Sequence, residues 1–209
     1  AMGVAAAAAA LRAHGSVSRV ALAACERLAD LCAEAQNRQA AADAGAIEAI
    51  VAAPQAHPQV AGVPQLGCWA MGSVCFGTDA AALARKQRAA DAGSIEVAVA
   101  ALQAHPQDAG VQQNGCGALG LVCHGTDAAG LARKQRTADA GSIEVAVAAL
   151  QAHSQEAEVQ RQGCCALRNV CAGTDAAGFA RMQRAADAGG IEAIVAAMQA
   201  HPQVASVQQ

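Results

Sequence analysis

The stretch GSIEVAVAALQAH at residues 93–105 occurs again, without a substitution, at residues 141–153. Close variants begin at Gly45 and Gly189, so the four copies start 48 residues apart. In each copy a glycine is followed by apolar residues at helical spacing and by a glutamate in the first turn, where the helix dipole favours negative charge. A fixed period of this length is typical of a stacked helical repeat array.

Each 48-residue unit is divided into three helices by its own turn residues. Residues 77–79 (Gly-Thr-Asp) offer an N-cap to helix 1, and Gly93 ends that helix. Helix 2 runs from Gly93 to His105, and helix 3 runs from Asp108 to Gly125 with its apolar residues on a single face. The pattern therefore predicts an all-α chain.

The unit boundaries follow from the glycines that precede helix 2. The predicted array is single and covers residues 1–209, with units at 1–44, 45–92, 93–140, 141–188 and, truncated, 189–209. The first unit is shorter by five residues, which we assign to the link before helix 1. We expect the chain to be a fragment of a longer protein, because solenoids normally carry polar caps and neither end here does.

Composition and charge narrow the classes of function. Apolar residues make up 54% of the chain and aromatic residues only 1%, which favours closely packed helices. The formal net charge of −3 gives no general attraction to nucleic acid or to anionic membranes. The run Ala5–Ala10 is too short to cross a bilayer, so no membrane partner is expected.

The nine cysteines are interpreted as buried, free thiols. Eight of them form pairs seven residues apart, which is ~10 Å along a helix and too far for a disulfide. Cys165 is the exception, because it lies on a variable stripe where its thiol is expected to be accessible. Free thiols and the lack of a secretory signal favour a cytoplasmic or nuclear location.

One histidine per unit could suggest a metal site or an acid–base relay. We interpret these residues as caps on the last carbonyls of helix 2, because neighbouring packed helices are ~8–10 Å apart and two such histidines could not share one ion. No nucleophile–base pair and no compact cysteine motif is present. We therefore expect no catalytic residue, no metal, no cofactor and no small-molecule substrate. The histidines are His14, His57, His105, His153 and His201.

Substitutions between the two best-matched copies concentrate on helix 3. Residues 89–136 and 137–184 differ at 12 of 48 positions, and six of the twelve fall between residues 113 and 124 and their counterparts. Random drift would also have changed helix 2, which is identical in both copies. A variable stripe on a constant frame is typical of a binding surface, so recognition of a protein or peptide is the leading prediction.

Two segments resemble the armadillo repeat family. Residues 37–47 are similar to the family's helix 1 and glycine turn, and residues 67–71 are similar to the start of its ligand-facing helix 3. The resemblance implies a right-handed α-solenoid whose third helices line a concave groove, where Trp and Asn four residues apart hold an extended peptide. The Trp position is occupied by Glu26, Trp69, Gly117 and Cys165, and the Asn position by Asp30, Ser73, Leu121 and Asn169.

Of the four residues at each position, only one is Trp and only one is Asn, so side-chain fit is expected to decide which partner binds. The predicted groove runs from acidic residues at one end to basic residues at the other. Between these two ends, Gly117 and Gly120 are expected to leave a hollow for an apolar anchor. The predicted groove residues are Glu26, Asp30, Gln65, Trp69, Ser73, Phe76, Gln113, Gly117, Gly120, Leu121, His124, Arg161, Cys165, Arg168 and Asn169.

An alternative function is suggested by basic residues that recur on helix 1. The segments are Arg85-Lys86-Arg88, Arg133-Lys134-Arg136 and Arg181 with Arg184. Stacked at the repeat spacing, they could form a cationic edge that binds anions or nucleic acid; the interpretation that we favour is an ordinary solvated face whose charges complement the C-terminal half of the helix. No aromatic residues alternate with them to stack on bases, so nucleic acid is the less favoured partner.

Overall fold

The computed structural model describes residues 2–208, and no strand occurs in that range, which confirms the all-α class. The helices are α1 (Val4–His14), α2 (Ser18–Cys32), α3 (Ala35–Asp43), α4 (Ala46–Ala56), α5 (Gly62–Cys75), α6 (Ala80–Asp91), α7 (Ser94–Ala104), α8 (Ala109–Val122), α9 (Ala128–Asp139), α10 (Ser142–Ala152), α11 (Ala157–Cys171), α12 (Ala176–Asp187), α13 (Gly190–Ala200) and α14 (Ala205–Gln208).

Helices at equivalent positions of the copies have equivalent bounds. Helix 1 corresponds to α3, α6, α9 and α12, helix 2 to α1, α4, α7, α10 and α13, and helix 3 to α2, α5, α8, α11 and α14. The division of residues 77–125 predicted from turn residues agrees with α6, α7 and α8.

The helices pack against their counterparts in neighbouring copies. Along the chain α2 contacts α5, α5 contacts α8, and α8 contacts α11, while α4, α7, α10 and α13 contact one another in the same order. Ile47, Ile95 and Ile143 occupy one position of helix 2 and are each at most 1% exposed. A single cluster of buried side chains therefore runs from α1 to α13.

The glycine before helix 2 is required by its backbone conformation. Gly45, Gly93, Gly141 and Gly189 have φ of 78°, 94°, 93° and 84°, in the left-handed region. Residues with a Cβ pay a steric penalty there, so glycine both ends helix 1 and redirects the chain into helix 2. This local requirement explains why the turn is legible in the sequence.

Two local predictions need correction. The five residues missing from the first unit are not all lost from the link before helix 1. This link is residues 33–34 in the first unit and residues 76–79 in the next, and α3 is three residues shorter than α6. Proline in a helix interior removes an N–H donor and clashes with the preceding turn, so Pro54 predicts that helix 2 of this unit bends or stops early. The early stop is wrong, because α4 ends at Ala56, the counterpart of Ala104. Pro54 lies in the last turn, its ring is buried near Gly67, and the next bond, from His57 N to Ala53 O, still forms at 3.2 Å.

Candidate functional site

A groove of about 670 Å³ lies across the third helices α5, α8 and α11 and is completed by the end of α2 and by side chains from α3 and α6. It brings together nine of the fifteen residues predicted from the sequence. These are Trp69, Ser73, Phe76, Gly117, Leu121, His124, Arg161, Cys165 and Asn169.

The remaining six predicted residues do not line this groove. Glu26 and Asp30 are exposed on α2 outside it, so the groove has no acidic end. Gln65 and Gln113 are half-buried and lie outside it as well. Arg168 lines a neighbouring pocket of about 630 Å³ formed by α11, α12, α13 and α14, which shares Arg161 and Cys165 with the groove.

Gly120 is the sixth, and the hollow predicted there is absent. A Cβ on this glycine would lie 3.1 Å from the Cα of Ala166, so Gly120 lets α8 and α11 approach each other closely. Its position on a variable stripe reflects contact between copies and not contact with solvent. Gly117 remains in the groove wall, where the Gln162 side chain would lie 3.2 Å from an added Cβ.

The apolar part of the groove is formed by two aromatic side chains. Trp69 is 41% exposed and Phe76 is 56% exposed. The guanidinium carbon of Arg38 lies 5.0 Å from the centroid of the Phe76 ring, within the range of a cation–π contact. Large exposed aromatics beside a fixed cation are the kind of surface on which interface anchors bind.

Asn169 does not present its amide N–H to a ligand. Its Nδ2 donates to Gly120 O at 2.9 Å, in the neighbouring helix α8. Asn114 does the same one unit earlier, donating to Gln65 O in α5 at 3.2 Å. These amides therefore link successive third helices. The armadillo resemblance implies that an Asn at this position holds a peptide, and of the Asn169 amide only the oxygen remains for such a contact.

The charges that line the groove are all positive. Arg38, Lys86 and Arg161 are the charged members of the lining, His124 is a further titratable one, and no aspartate or glutamate is among them in residues 2–208. Burial lowers the pKa of Lys86. Desolvation, followed by the charges of Lys86, Lys134, Arg133 and Arg168, lowers the pKa of His124.

Sequence reasoning missed several of these lining residues. Asn114 and Gln162 occupy one variable position of helix 3 and could have been included on that signal alone. Lys86 was noticed but assigned to another surface. Arg38 gave no signal, because it reaches the groove from α3 through the tertiary arrangement.

The basic residues of helix 1 do not form an open cationic edge. Arg85, Lys86, Arg133, Lys134 and Arg181 are at most 6% exposed. They cap the carboxyl end of helix 3: in one unit Arg133 donates to Val122 O at 3.0 Å and to His124 O at 3.0 Å, and Lys134 donates to Gly125 O at 2.7 Å.

The outer arginines of helix 1 are paired with glutamates 40 residues earlier, in the first turn of the preceding helix 2. Arg88 bonds Glu48 at 2.6 Å and Arg184 bonds Glu144 at 2.6 Å, while Arg136 bonds Glu96 at 2.8 Å. The basic residues of helix 1 that suggested anion binding are therefore bonded to carbonyl and carboxylate groups of the protein itself.

The histidines join units and do not cap their own helix. Nε2 of His57, His105, His153 and His201 lies 2.8–2.9 Å from a backbone carbonyl oxygen of the preceding unit. Capping of helix 2 falls instead to a glutamine: Gln160 Nε2 donates to Leu150 O and His153 O at 2.8 and 2.9 Å. The capping interpretation of the histidines is thus corrected.

All nine cysteines are free thiols, as interpreted from their spacing, but Cys164 and Cys171 are half-buried and not buried as predicted. Burial raises the pKa of Cys68 and Cys116 to about 12, so these thiols stay protonated and unreactive. Cys165 is half-buried in the groove wall, where Nδ2 of Asn169 lies 3.6 Å from its sulfur. Across residues 2–208, no three His, Cys, Asp or Glu side chains converge as metal ligands would.

Among the described helices, none has both the length and the apolar character needed to cross a membrane. Comparison of the chain with protein-family models, curated proteins and solved structures gives no match. The residues of the groove are therefore the basis for the function proposed below.

Proposed function

We propose that this protein is an armadillo-like, right-handed α-solenoid that binds an extended segment of a partner protein in the groove. One observation carries the proposal: the groove is lined by the helix 3 positions that differ between copies. Of the six such positions, five contribute at least one lining side chain. The sixth is the pair of Gly120 and Arg168.

Bonds between copies support a regular stack. Four histidines each bond the unit before them, and each outer arginine of helix 1 bonds a glutamate of the preceding helix 2, at sequence separations of 40–47 residues. Nη1 of Arg133 likewise donates to Oε1 of Gln87 in the preceding unit, at 2.8 Å. Because identical bonds recur, successive third helices keep one orientation, which is what a continuous binding surface requires.

Binding rather than catalysis is the function that this surface favours. The exposed Trp69 and Phe76 offer area for an apolar anchor, and aromatic residues are enriched among the side chains that contribute most to interfaces. The thiols with raised pKa are poor nucleophiles. Free thiols also favour a cytoplasmic or nuclear location for the complex.

The proposal is tested by selecting binders from a displayed library of random peptides and measuring them by calorimetry. Trp69→Ala should weaken the selected peptides by ~2 kcal/mol, about thirtyfold in Kd, if the indole is an anchor. Phe179→Ala is the matched control, because Phe179 is a 60% exposed aromatic on α12 that does not line the groove. Equal loss with both variants, or no loss with either, would contradict the proposal.

A second variant tests the groove without removing an aromatic. Gly117→Trp places a large side chain in the groove wall, where only the flexible end of Gln162 lies close. We expect it to weaken peptide binding while the thermal unfolding curve stays close to that of the unmodified chain. If binding persists in Gly117→Trp but is lost when Arg136 and Arg184 are reversed in charge, the site lies on the helix 1 edge instead.

A further inference from the structure

The charge of the groove points to the chemistry of its partner. We propose that the bound segment is acidic, with carboxylate side chains on either side of an apolar anchor. This inference rests on the proposed function and adds the class of partner to it.

The groove differs in charge from the chain as a whole. The chain carries a formal net charge of −3, yet three lysine or arginine side chains and one histidine line the groove, without an aspartate or glutamate among the lining residues of the described chain. A cleft lined by one sign of charge concentrates ligands of the opposite sign. An acidic segment is therefore attracted to this groove, whereas a basic segment is repelled.

Arg38 is held in an orientation suited to a carboxylate. Its Nε donates to Cys32 O at 2.9 Å and its Nη2 donates to Ala33 O at 2.8 Å, while the guanidinium lies over Phe76. Nη1 has no hydrogen-bond partner among the described residues. The remaining N–H groups are thus fixed beside an exposed aromatic ring, so a carboxylate could bind without a further loss of side-chain freedom.

Lys86 strengthens the positive potential from beneath the groove. Its side chain is 1% exposed, and its ammonium donates to Gly77 O at 2.7 Å, its one recorded hydrogen bond. A buried charge is screened less than an exposed one, so its field extends into the groove.

Arg161 can change partners. It is paired with Glu158, three residues earlier on α11, at 2.7 Å, and Glu158 does not line the groove. Exposed pairs of this kind contribute little to stability. A carboxylate of the partner can therefore replace Glu158 with little cost to the fold.

The inference is tested with two matched arrays of short peptides that share a central Leu or Phe. Flanking positions are Asp or Glu in one array and the uncharged Asn or Gln in the other. We expect acidic peptides to bind at least about fivefold more tightly than their amide counterparts, with the difference shrinking as salt is raised.

Two substitutions test where the preference arises. Lys86→Met should remove most of the preference for acidic peptides and leave amide peptides unaffected. The chain carries Met182 at this position of the last copy, where it is 42% exposed, so thermal unfolding of the variant is measured alongside binding. Lys134→Met is the matched comparison: it removes the same bond one unit later from a residue that does not line the groove, so it should reduce the preference less than Lys86→Met does. Arg38→Gln should act like Lys86→Met.

The outcomes separate this inference from the proposed function. Peptides that bind with equal affinity in both arrays, and that lose binding on Trp69→Ala, would overturn the acidic partner and leave the groove as a peptide site. Absence of any Trp69-dependent binding would overturn the proposed function itself. A single-stranded RNA oligonucleotide bound more tightly than the acidic peptides would also overturn the inference.

Discussion

Nε2 of His153 lies 2.9 Å from the carbonyl oxygen of Pro106, which belongs to the loop of the preceding unit. A carbonyl only accepts, so the imidazole donates from Nε2. The same bond recurs from His57, His105 and His201, so a histidine at the end of each second helix from α4 onward joins two units.

Removing this bond should destabilise the protein. His153→Ala is expected to lower the free energy of unfolding by about 1 kcal/mol, because Pro106 O loses its donor and the buried ring leaves space. His14→Ala is the control, since His14 is exposed and makes no such bond among the described residues. Chemical denaturation of both variants checks the difference, and equal destabilisation would show that the bond is not the cause.

Burial of the inner arginine predicts a large cost for its loss. Arg133→Met should destabilise by about 3 kcal/mol or more, because Val122 O and His124 O lose charge-assisted donors. Arg136→Met removes an exposed pair with Glu96 and should cost about 1 kcal/mol at most. Thermal unfolding compares the two. An inner arginine as dispensable as the outer one would mean that it faces solvent.

Two isoleucines in equivalent positions should respond differently to truncation. Ile143 is fully buried on α10, and Ile191 is 60% exposed on α13. Ile143→Ala is expected to cost about 2–5 kcal/mol, and Ile191→Ala should stay within about 0.5 kcal/mol. Urea denaturation measures both. Similar values would indicate that the surface of α13 is covered in solution.

The pKa of His124 should report the positive potential of the groove. It is lowered from the ordinary value of 6.5, first by desolvation and then by neighbouring cations including Lys86. We expect Lys86→Met to raise it, as followed by NMR of the imidazole protons. The pKa of His124 is lower in the folded than in the unfolded chain, so the unfolded chain binds a proton more readily. The contribution of this histidine to stability is therefore fully present above the unfolded pKa and is lost as the pH falls through the folded pKa. A pKa unchanged by Lys86→Met would mean that its ammonium has no effect at the groove.

Only some of the groove residues could be predicted from the sequence. Substitutions between copies pointed to Gly117, Leu121 and Cys165, because exposed positions vary while the frame is constant. The same signal misled at Gly120, where variation accompanies a contact between α8 and α11. Arg38 was missed because residues of another helix enter the groove only after the units have packed.

The sequence by itself determined the helices and their period. Glycine in the left-handed region at residues 45, 93, 141 and 189, and aspartate N-caps such as Asp79, act within a few residues, so their effects can be read locally. Only the tertiary structure decided the partners of the polar side chains. His153, Arg133 and Arg136 bond residues 40–47 positions away, and the distance along the chain carries no information about which carbonyl or carboxylate will be within reach. Burial then decided which cations support the fold and which remain to attract a partner, because an ammonium or guanidinium removed from water must take its hydrogen bonds from the protein.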